Sequence, residues 1–366
     1  MPSESISLAI GGQSYAAWDT WSVESDLRTP ADGFVLTLHT RDTQSLGAVL
    51  GEGKACTLSL GSDRVLTGQI DTVVHDVSRD GVTITVNGRD NAAVLVDCSA
   101  PPVNMRNAGL GEIVRKLVNP LGIAQVEIRT DEATKPSRLV QYKPDEKAWE
   151  VLTQVAESYS AWPWMEADGR LVVGGPDYSA EPVEQLTLRL DGKGNNVSSL
   201  SVRRNYSGRY YQIQVLAQHG QHDNDALDST RGQLHAEVYD DSVPKTRKLV
   251  VSTHAENQSV VSAMAQELMR ESQLSVVEVQ AVVQGHRTAN GVVWAPGQRV
   301  IVRSEPHGVD ATFFLMSRKL SLSRTAGPTT LLRLVQDGLW RTGPLPAKAT
   351  KKTSDPIETF VPEKPK

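Results

Sequence analysis

The stretch WAPGQRVIVR, from Trp294 to Arg303, has a counterpart near the start of the chain in LGEGKACTLSL, from Leu50 to Leu60. When Gly53 is aligned with Gly297, a segment of strand-like residues begins two positions later in each copy. Alternation of apolar and polar residues is typical of a strand with one buried face. Both stretches are therefore predicted to begin a β-meander after a glycine turn.

The similarity continues through the next two strands. A longer strand starts at Val65 in the first copy and at Ala311 in the second, and a turn glycine lies 16 positions later in each, at Gly81 and Gly327. A last strand then follows in both copies. Two interpretations remain open: a coincidence between ordinary β-meanders, whose strands and turns recur at these lengths, and a small β-barrel duplicated at the two ends of the chain.

Length and composition limit the classes of protein. The chain has 366 residues, 39% of them hydrophobic and 22% charged, with a net charge of −5. This length suits two or three domains, and the charge does not favour nucleic-acid binding. No apolar run approaches the roughly 18 residues of a membrane span, and the N-terminus lacks a signal-peptide pattern, so we expect a protein made in the cytosol. The two cysteines, Cys56 and Cys98, are expected to be buried thiols.

The middle of the chain changes to helical periodicity. GLGEIVRKLVNPLGI places Leu110, Ile113, Val114, Leu117 and Leu121 on one helix face. A second helix is predicted from Asp145, as its N-terminal cap, to Tyr159. A hairpin with a turn at Asp168-Gly169 follows.

Strands return after a Gly/Asn-rich break. SLSVRRNY and YYQIQVLAQ are predicted to pair around Ser207-Gly208, and an amphipathic helix at 256–273 is predicted to lie on a sheet. The fold class is therefore α+β and mainly β, with two similar small β-barrel modules flanking an α+β domain. We expect a first β-barrel module at 1–99, an α+β domain at 100–180, a second β module at 181–341 and a flexible tail at 342–366.

Few residues indicate chemistry. His219 and His222 in HGQHDND are the best metal candidates, but they lie in a polar connection without rigid geometry, so no metal and no cofactor is predicted. Three tryptophans near the second helix suit either a sugar platform or core packing, which is the commoner use. Three nearby glutamates raise the alternative of glycoside hydrolysis without indicating a pocket. These residues are Trp149, Trp162, Trp164, Glu150, Glu157 and Glu166.

Four segments together resemble the baseplate hub proteins of contractile-tailed phages, including Mu-like phages, and the hub part of type VI secretion spike proteins. They are GRDNAAVLVDCSA, GLGEIVRKLVNPLGI, EKAWEVLTQVAESYSAWPWMEADGRLVVGGP and VVWAPGQRVIVRSEPHGVDATFFLMSRKLSLSRTAGPTTLLRLV. The resemblance extends from about Ile6 to Trp340, and the order of the elements carries it.

The resemblance implies a structural, non-enzymatic homotrimer in which two similar barrels per chain form a ring of six units. Such a ring adapts a sixfold tail tube to a trimeric central spike. The implied partners are spike, tube and baseplate wedge proteins, with no nucleic acid and no membrane. The implied location is the virion tail baseplate, after assembly in the host cytoplasm. The run ATFFLMS, Ala311 to Ser317, breaks strand alternation and is predicted to face a neighbouring subunit.

The C-terminal tail is rich in Pro, Lys and Thr. Trp340, Ile357, Phe360 and Val361 are predicted to bind a protein partner, which in a hub is the neighbouring spike. The alternative to a hub is a cell-wall-acting or polysaccharide-binding β protein.

Overall fold

The computed structural model describes residues 5–40, 50–79, 81–102, 108–130, 145–159, 161–219, 234–255, 258–274 and 276–339. The helices are α1 (Ala93–Asp97), α2 (Leu110–Val118), α3 (Ala148–Ser158) and α4 (Gln258–Leu274), with 3-10 turns at Asn119–Leu121 and Glu305–His307. Within these residues, no helix is both long and apolar enough to cross a lipid bilayer.

Strands make up most of the described chain. The first ten are β1 (Ile6–Ile10), β2 (Gln13–Tyr15), β3 (Thr20–Asp26), β4 (Gly33–Thr40), β5 (Ala55–Leu60), β6 (Asp63–Ser78), β7 (Gly81–Asp90), β8 (Val126–Arg129), β9 (Trp162–Met165) and β10 (Leu171–Gly174). The others are β11 (Glu184–Leu188), β12 (Ser199–Arg204), β13 (Gln212–His219), β14 (Leu234–Tyr239), β15 (Lys248–Ala255), β16 (Val277–Gln284), β17 (Arg299–Ser304), β18 (Val309–Ser323) and β19 (Gly327–Gln336).

A continuous sheet of 13 strands joins the two ends of the chain. Its hydrogen-bonded order is β12-β16-β19-β18-β3-β4-β7-β6-β5-β1-β2, and β17, followed by β11, branches from β18. Burial alternates strictly along β7 and β16, because one face of each strand packs on the core while the other faces outward. One cluster of buried side chains includes Leu58, Ile70 and Val86 from the first meander and Val302, Leu320 and Leu334 from the second.

The α+β unit has the elements predicted for it. β8 pairs parallel and β9 antiparallel with the central β10, while α2 and α3 pack on this small sheet. Leu110, Ile113, Val114 and Leu117 are buried as predicted, whereas Leu121 lies in the 3-10 turn after α2 and is only partly buried. The proposed cap was wrong, because Lys147 precedes the helix in an extended conformation and its N–H donates to the Glu150 carboxylate at 3.4 Å.

A second small sheet is inserted between β12 and β16. Its strands have the order β14-β13-β15, and α4 covers one face through Val261, Ala265 and Met269, which confirms the predicted helix on a sheet. The predicted pairing of β12 with β13 was wrong, since β12 pairs with β16. The chain leaves the main sheet at a turn where Asn205 Oδ1 accepts the Ser207 N–H at 3.0 Å.

Two further expectations concern single side chains. Both cysteines are free thiols, with Cys56 buried and Cys98 only half-buried. The interpretation of ATFFLMS as a subunit contact was wrong, because Phe314 and Met316 are buried within the chain beside Leu27. The side chains on one face of this part of β18 lie in the main core and those on the other face pack beside Leu27, so both faces are buried within the chain.

Candidate assembly interface

The two meanders identified in the sequence have matching backbone geometry. β5-β6-β7 and β17-β18-β19 are both antiparallel, and their first and last strands have equal lengths of six and ten residues. The Gly53 N–H donates to the Ile70 carbonyl at 2.8 Å, and the Gly297 N–H donates to the Leu315 carbonyl at 2.8 Å. Both glycines have positive φ, which only glycine adopts without strain.

The long middle strands also bend at equivalent positions. β6 has a bulge between Ile70 and Thr72, and β18 has one between Leu315 and Ser317, so Asp71 and Met316 are the extra residues. A bulge bends its strand and increases the local twist. Beyond it, each strand continues along its neighbour to the turn, which is at Ser78 in β6 and at Ser323 in β18.

The strands that flank the meanders repeat as well. β4 pairs with β7 and carries β3 on its other edge, while β16 pairs with β19 and carries β12 on its other edge. When the two halves are aligned by their strand pairing, Gly33 of β4 corresponds to Glu278 of β16. Glu24 of β3 pairs with Gly33 and Arg203 of β12 pairs with Glu278, so Glu24 corresponds to Arg203. The two halves of the main sheet therefore share a series of five strands, while the next strand differs, since β1 pairs antiparallel with β5 and β11 pairs parallel with β17.

One edge contact joins these halves. β3 pairs with the part of β18 beyond its bulge, from Ser317 opposite Asp26 to Leu322 opposite Trp21. The equivalent part of β6, residues 71–78, pairs with β7 on one side and with no described strand on the other. Its side chains are mostly exposed, including Val74 at 39% and Val77 at 76%.

The second free edge belongs to β12. This strand pairs with β16, and in the described part of the chain no strand lies on its other side. Its equivalent, β3, has partners on both edges. An unpaired strand edge offers a row of backbone donors and acceptors to another strand. Compared with the filled β3·β18 contact, the described part of the sheet therefore has an unfilled acceptor position at β6 and an unfilled donor strand in β12.

Ion pairs cross the filled β3·β18 contact, and each has its acidic residue on the same side of the contact. Lys319 pairs with Glu24, and Arg333 of the adjacent β19 pairs with Asp26 at 2.7 Å. Arg324 contacts Asp19 at 3.2 Å. In each pair the N-terminal segment supplies the acid and the C-terminal sheet supplies the base.

A buried charge cluster lies beside this contact. The Arg318 guanidinium donates to the carbonyls of Trp294 and Val65, and burial lowers its pKa to about 10. Burial raises the pKa of Asp32 to about 7, although the Asp26 N–H donates to its carboxylate and the Arg318 charge is near. Burial, together with the neighbouring Asp32, also raises the pKa of Asp90. The Arg318 cation thus lies near Asp32, and the Asp32 carboxyl lies near that of Asp90.

Comparison with known proteins gives matches along most of the chain. Residues 5–90 match the model of the Mu phage baseplate assembly protein GpP-like N-terminal domain, and residues 92–175 match the second domain of baseplate hub protein gp44-like proteins. Residues 271–339 match a tail protein C-terminal domain. The tail protein from Neisseria meningitidis MC58 is 31% identical, with 92% of this chain and 97% of that chain covered and a TM-score of 0.81.

The chain belongs to the Mu-like phage tail and baseplate hub protein family. Baseplate hub protein gp44 of Escherichia phage Mu is 23% identical over 346 residues, covering 92% of this chain and 86% of the relative. The 43 kDa tail protein of prophage MuSo2 from Shewanella oneidensis is 24% identical, with coverages of 92% and 100% and a TM-score of 0.81. The predicted family is confirmed, and the protein is a structural component of the phage tail and baseplate hub type.

The predicted relation to type VI secretion is one of fold. The E. coli c3393 protein, a component of the type VI secretion system, has a TM-score of 0.56 at 12% identity, with 92% of this chain and 79% of that chain covered.

In this hub family member, the tryptophans considered for glycan binding are packing groups. Trp149 is buried, Trp162 Nε1 donates to the Leu27 carbonyl at 2.6 Å, and Trp164 Nε1 donates to Glu166 at 3.3 Å. They lie where the α+β unit meets the main sheet, around a cavity of about 530 Å³ whose lining includes Trp149, Trp164 and Arg318. The structure therefore assigns them to anchoring this unit on the sheet.

The three glutamates are separated by their surroundings. Glu150 accepts the Lys147 N–H at 3.4 Å, and Glu166 pairs with Arg129 at 3.1 Å. Burial, together with the charge of Glu271, raises the pKa of Glu157, which lies near Arg28. No two of these three carboxylates converge on the described cavity, whose lining includes Glu166 alone among them.

For the remaining predicted site residues, metal binding and partner binding stay predictions. His219 is the last residue of β13, whereas His222, Trp340, Ile357, Phe360 and Val361 lie outside the described residues. Among the described residues, no group of three or more His, Cys, Asp or Glu side chains is arranged to hold a metal ion. Sequence reasoning did not predict the free edges of β6 and β12. Val74 and Val77, two apolar residues that are exposed on β6, were the available signal.

Proposed function

We propose that this protein is a homotrimeric baseplate hub that adapts a sixfold tail tube to a threefold central spike. The observation that carries the proposal is the repeated five-strand unit, which forms one edge contact within the chain, β3 on β18, and leaves the equivalent edges of β6 and β12 open. A surface that can accept its own complement in a neighbouring copy generates either a closed ring or an open filament. A hub between a tube and a spike requires the closed ring.

In the proposed ring, β12 of one copy fills the open position at β6 of the next. If β12 repeats the register of β3 on β18, it lies antiparallel to β6 of the next copy, with Asn205 opposite Thr72 and Leu200 opposite Val77. Val77 then becomes buried, as Leu322 is partly buried at the equivalent position. Each of the two valines exposed on this edge would contribute roughly 1–2 kcal/mol per interface, in proportion to the apolar surface that it buries.

Three copies are the natural number for this arrangement. Each chain supplies two similar units, so three chains supply six, which fits a sixfold tube on one side and a threefold spike on the other. We propose two β modules of the small barrel type, at 1–99 and 181–341, that form this ring, with the α+β domain at 100–180 between them. The same proposal places the protein in the virion baseplate, assembled in the host cytoplasm, beside tube, spike and wedge proteins.

The tail at 342–366, with Ile357, Phe360 and Val361, and Trp340 before it, is proposed to bind the central spike. In this account the protein has no catalytic role and needs no cofactor, membrane or nucleic acid.

The test is the absolute mass of the purified chain by light scattering and native mass spectrometry. We expect three times the chain mass of 39.8 kDa. The variant Val77→Asp should lose this mass while keeping its circular dichroism spectrum, because Val77 is 76% exposed in the single chain. The matched control is Val250→Asp on β15, where Val250 is 54% exposed and away from both edges of the main sheet. A chain that stays at 39.8 kDa at all concentrations contradicts the proposal.

A further inference from the structure

The acidic and basic residues change places between the two edge contacts of the proposed ring. In the contact within the chain, β3 carries the acid Glu24 and β18 carries the base Lys319. At the equivalent positions, β12 carries Arg203 in place of Glu24, and β6 carries Val74 in place of Lys319. The exposed acid on the free part of β6 is Asp76, two residues along on the same face as Val74.

We propose that Arg203 of one copy and Asp76 of the next form the ion pair that selects β12 as the strand added to β6. This inference rests on the proposed trimeric hub. In the repeated register, Arg203 lies opposite Val74, and Asp76 is its diagonal neighbour, at a distance of roughly 7–8 Å that a long side chain reaches. Both residues are exposed in the single chain.

Reversed charge makes the two edges non-interchangeable. If β12 were added to β18, Arg203 would lie opposite Lys319, and Arg204 would lie opposite Arg318. If β3 were added to β6, Glu24 would be diagonal to Asp76. Like charges across a strand pair are destabilising, so each acceptor strand discriminates against the wrong donor.

The other arginine and carboxylate groups on the facing parts of the two strands have partners within the chain, and Glu278, which lies opposite Arg203 on β16, is 3.9 Å from Arg333. Arg204 donates to the His307 carbonyl at 3.1 Å, and Asp71 pairs with Arg89 at 2.6 Å. These groups are already engaged in the single chain, which leaves Arg203 and Asp76 as the pair that forms across the copies.

The experiment is a double-mutant cycle on the full-length chain, with the trimer dissociation constants measured by analytical ultracentrifugation at low and high salt. Arg203→Glu alone and Asp76→Arg alone should each weaken assembly by at least 10-fold at low salt. The double variant, which restores opposite charges, should return to within about 3-fold of the wild type. Lys193→Glu, in the exposed turn before β12, is the matched charge-reversal control and should have no effect.

The outcomes separate the two proposals. The ion pair is overturned if neither single reversal weakens assembly, or if the double variant is weakened as much as the two single changes together. In either case a trimeric wild type still supports the hub. A monomeric wild type overturns both proposals. Rescue at low salt that disappears at high salt supports the ion pair, because salt screens an exposed charge pair.

Discussion

Replacing Arg318 by methionine should destabilise the junction between the two halves of the sheet, and more so at alkaline pH. Methionine keeps most of the apolar volume but removes the guanidinium that donates to the Trp294 and Val65 carbonyls and lies near Asp32. Breaking a buried charge pair by removing one partner costs about 3–5 kcal/mol. We expect a loss of this size in the free energy of unfolding at pH 8.

The pH dependence follows from the carboxyl group. Burial raises the pKa of Asp32 to about 7, so the folded state binds more protons than the unfolded state between about pH 4 and pH 7. Stability linked to this group is therefore greatest at low pH and falls as the pH rises towards 7. Without Arg318 the pKa rises further, so the fall continues above pH 7. The loss caused by Arg318→Met should be at least 1 kcal/mol smaller at pH 5, where Asp32 is protonated in either protein.

Urea unfolding at fixed protein concentration, followed by circular dichroism at pH 5 and pH 8, measures both quantities. The adjacent Lys319→Met is the matched control, because Lys319 is 44% exposed and its pair with Glu24 is worth at most about 1 kcal/mol. An Arg318→Met protein as stable as the wild type at pH 8, or a loss equal at the two pH values, would refute the reasoning.

Three further predictions concern single residues. Gly88→Ala should lower the free energy of unfolding by roughly 1–3 kcal/mol in the same assay, because an added Cβ would lie 2.3 Å from the Gln69 carbonyl oxygen; an unchanged midpoint would contradict this. Burial lowers the pKa of His286 to about 4. Its contribution to the free energy of unfolding is therefore present above pH 6.5 and is lost as the pH falls towards 4. In His286→Gln, the free energy of unfolding should accordingly fall by about 2 kcal/mol less than in the wild type between pH 7 and pH 4.5. An equal fall in the two proteins would contradict this prediction. Burial raises the pKa of Cys56 to about 12, so a thiol reagent should modify Cys98 first under native conditions; comparable rates would be the opposing result.

The sequence predicted those parts of the fold that depend on local pattern. Alternation and turn glycines located both meanders, and the 3.6-residue periodicity located the buried faces of α2 and α4. The equivalence of Gly53 with Gly297 extends to matching backbone hydrogen bonds. Local pattern sufficed for these elements because each buries one face.

Contacts between distant strands were not predictable in this way. β3 and β18 are separated by most of the chain, and nothing in either strand alone specifies that their edges meet. The same limit explains the wrong partner assigned to β12. Arg318 was missed because a charged residue in a strand is ordinarily exposed, and Asp32 because it lies in the connection between β3 and β4; only the tertiary fold encloses both. Opposite charges on Glu24 and Lys319 were the sequence signal for this contact.

The central claim is that β12 of one copy pairs with β6 of the next, and disulfide cross-linking tests it most directly. In a Cys98→Ser background, the pair Val74→Cys and Arg203→Cys occupies facing positions of the proposed contact, and Glu24→Cys with Lys319→Cys occupies the equivalent contact within the chain. We predict that oxidation of the first pair gives covalent dimers and trimers on a non-reducing gel, ending at three chains, while the second pair closes within single chains. Closure of the second pair without any intermolecular product from the first would contradict the account.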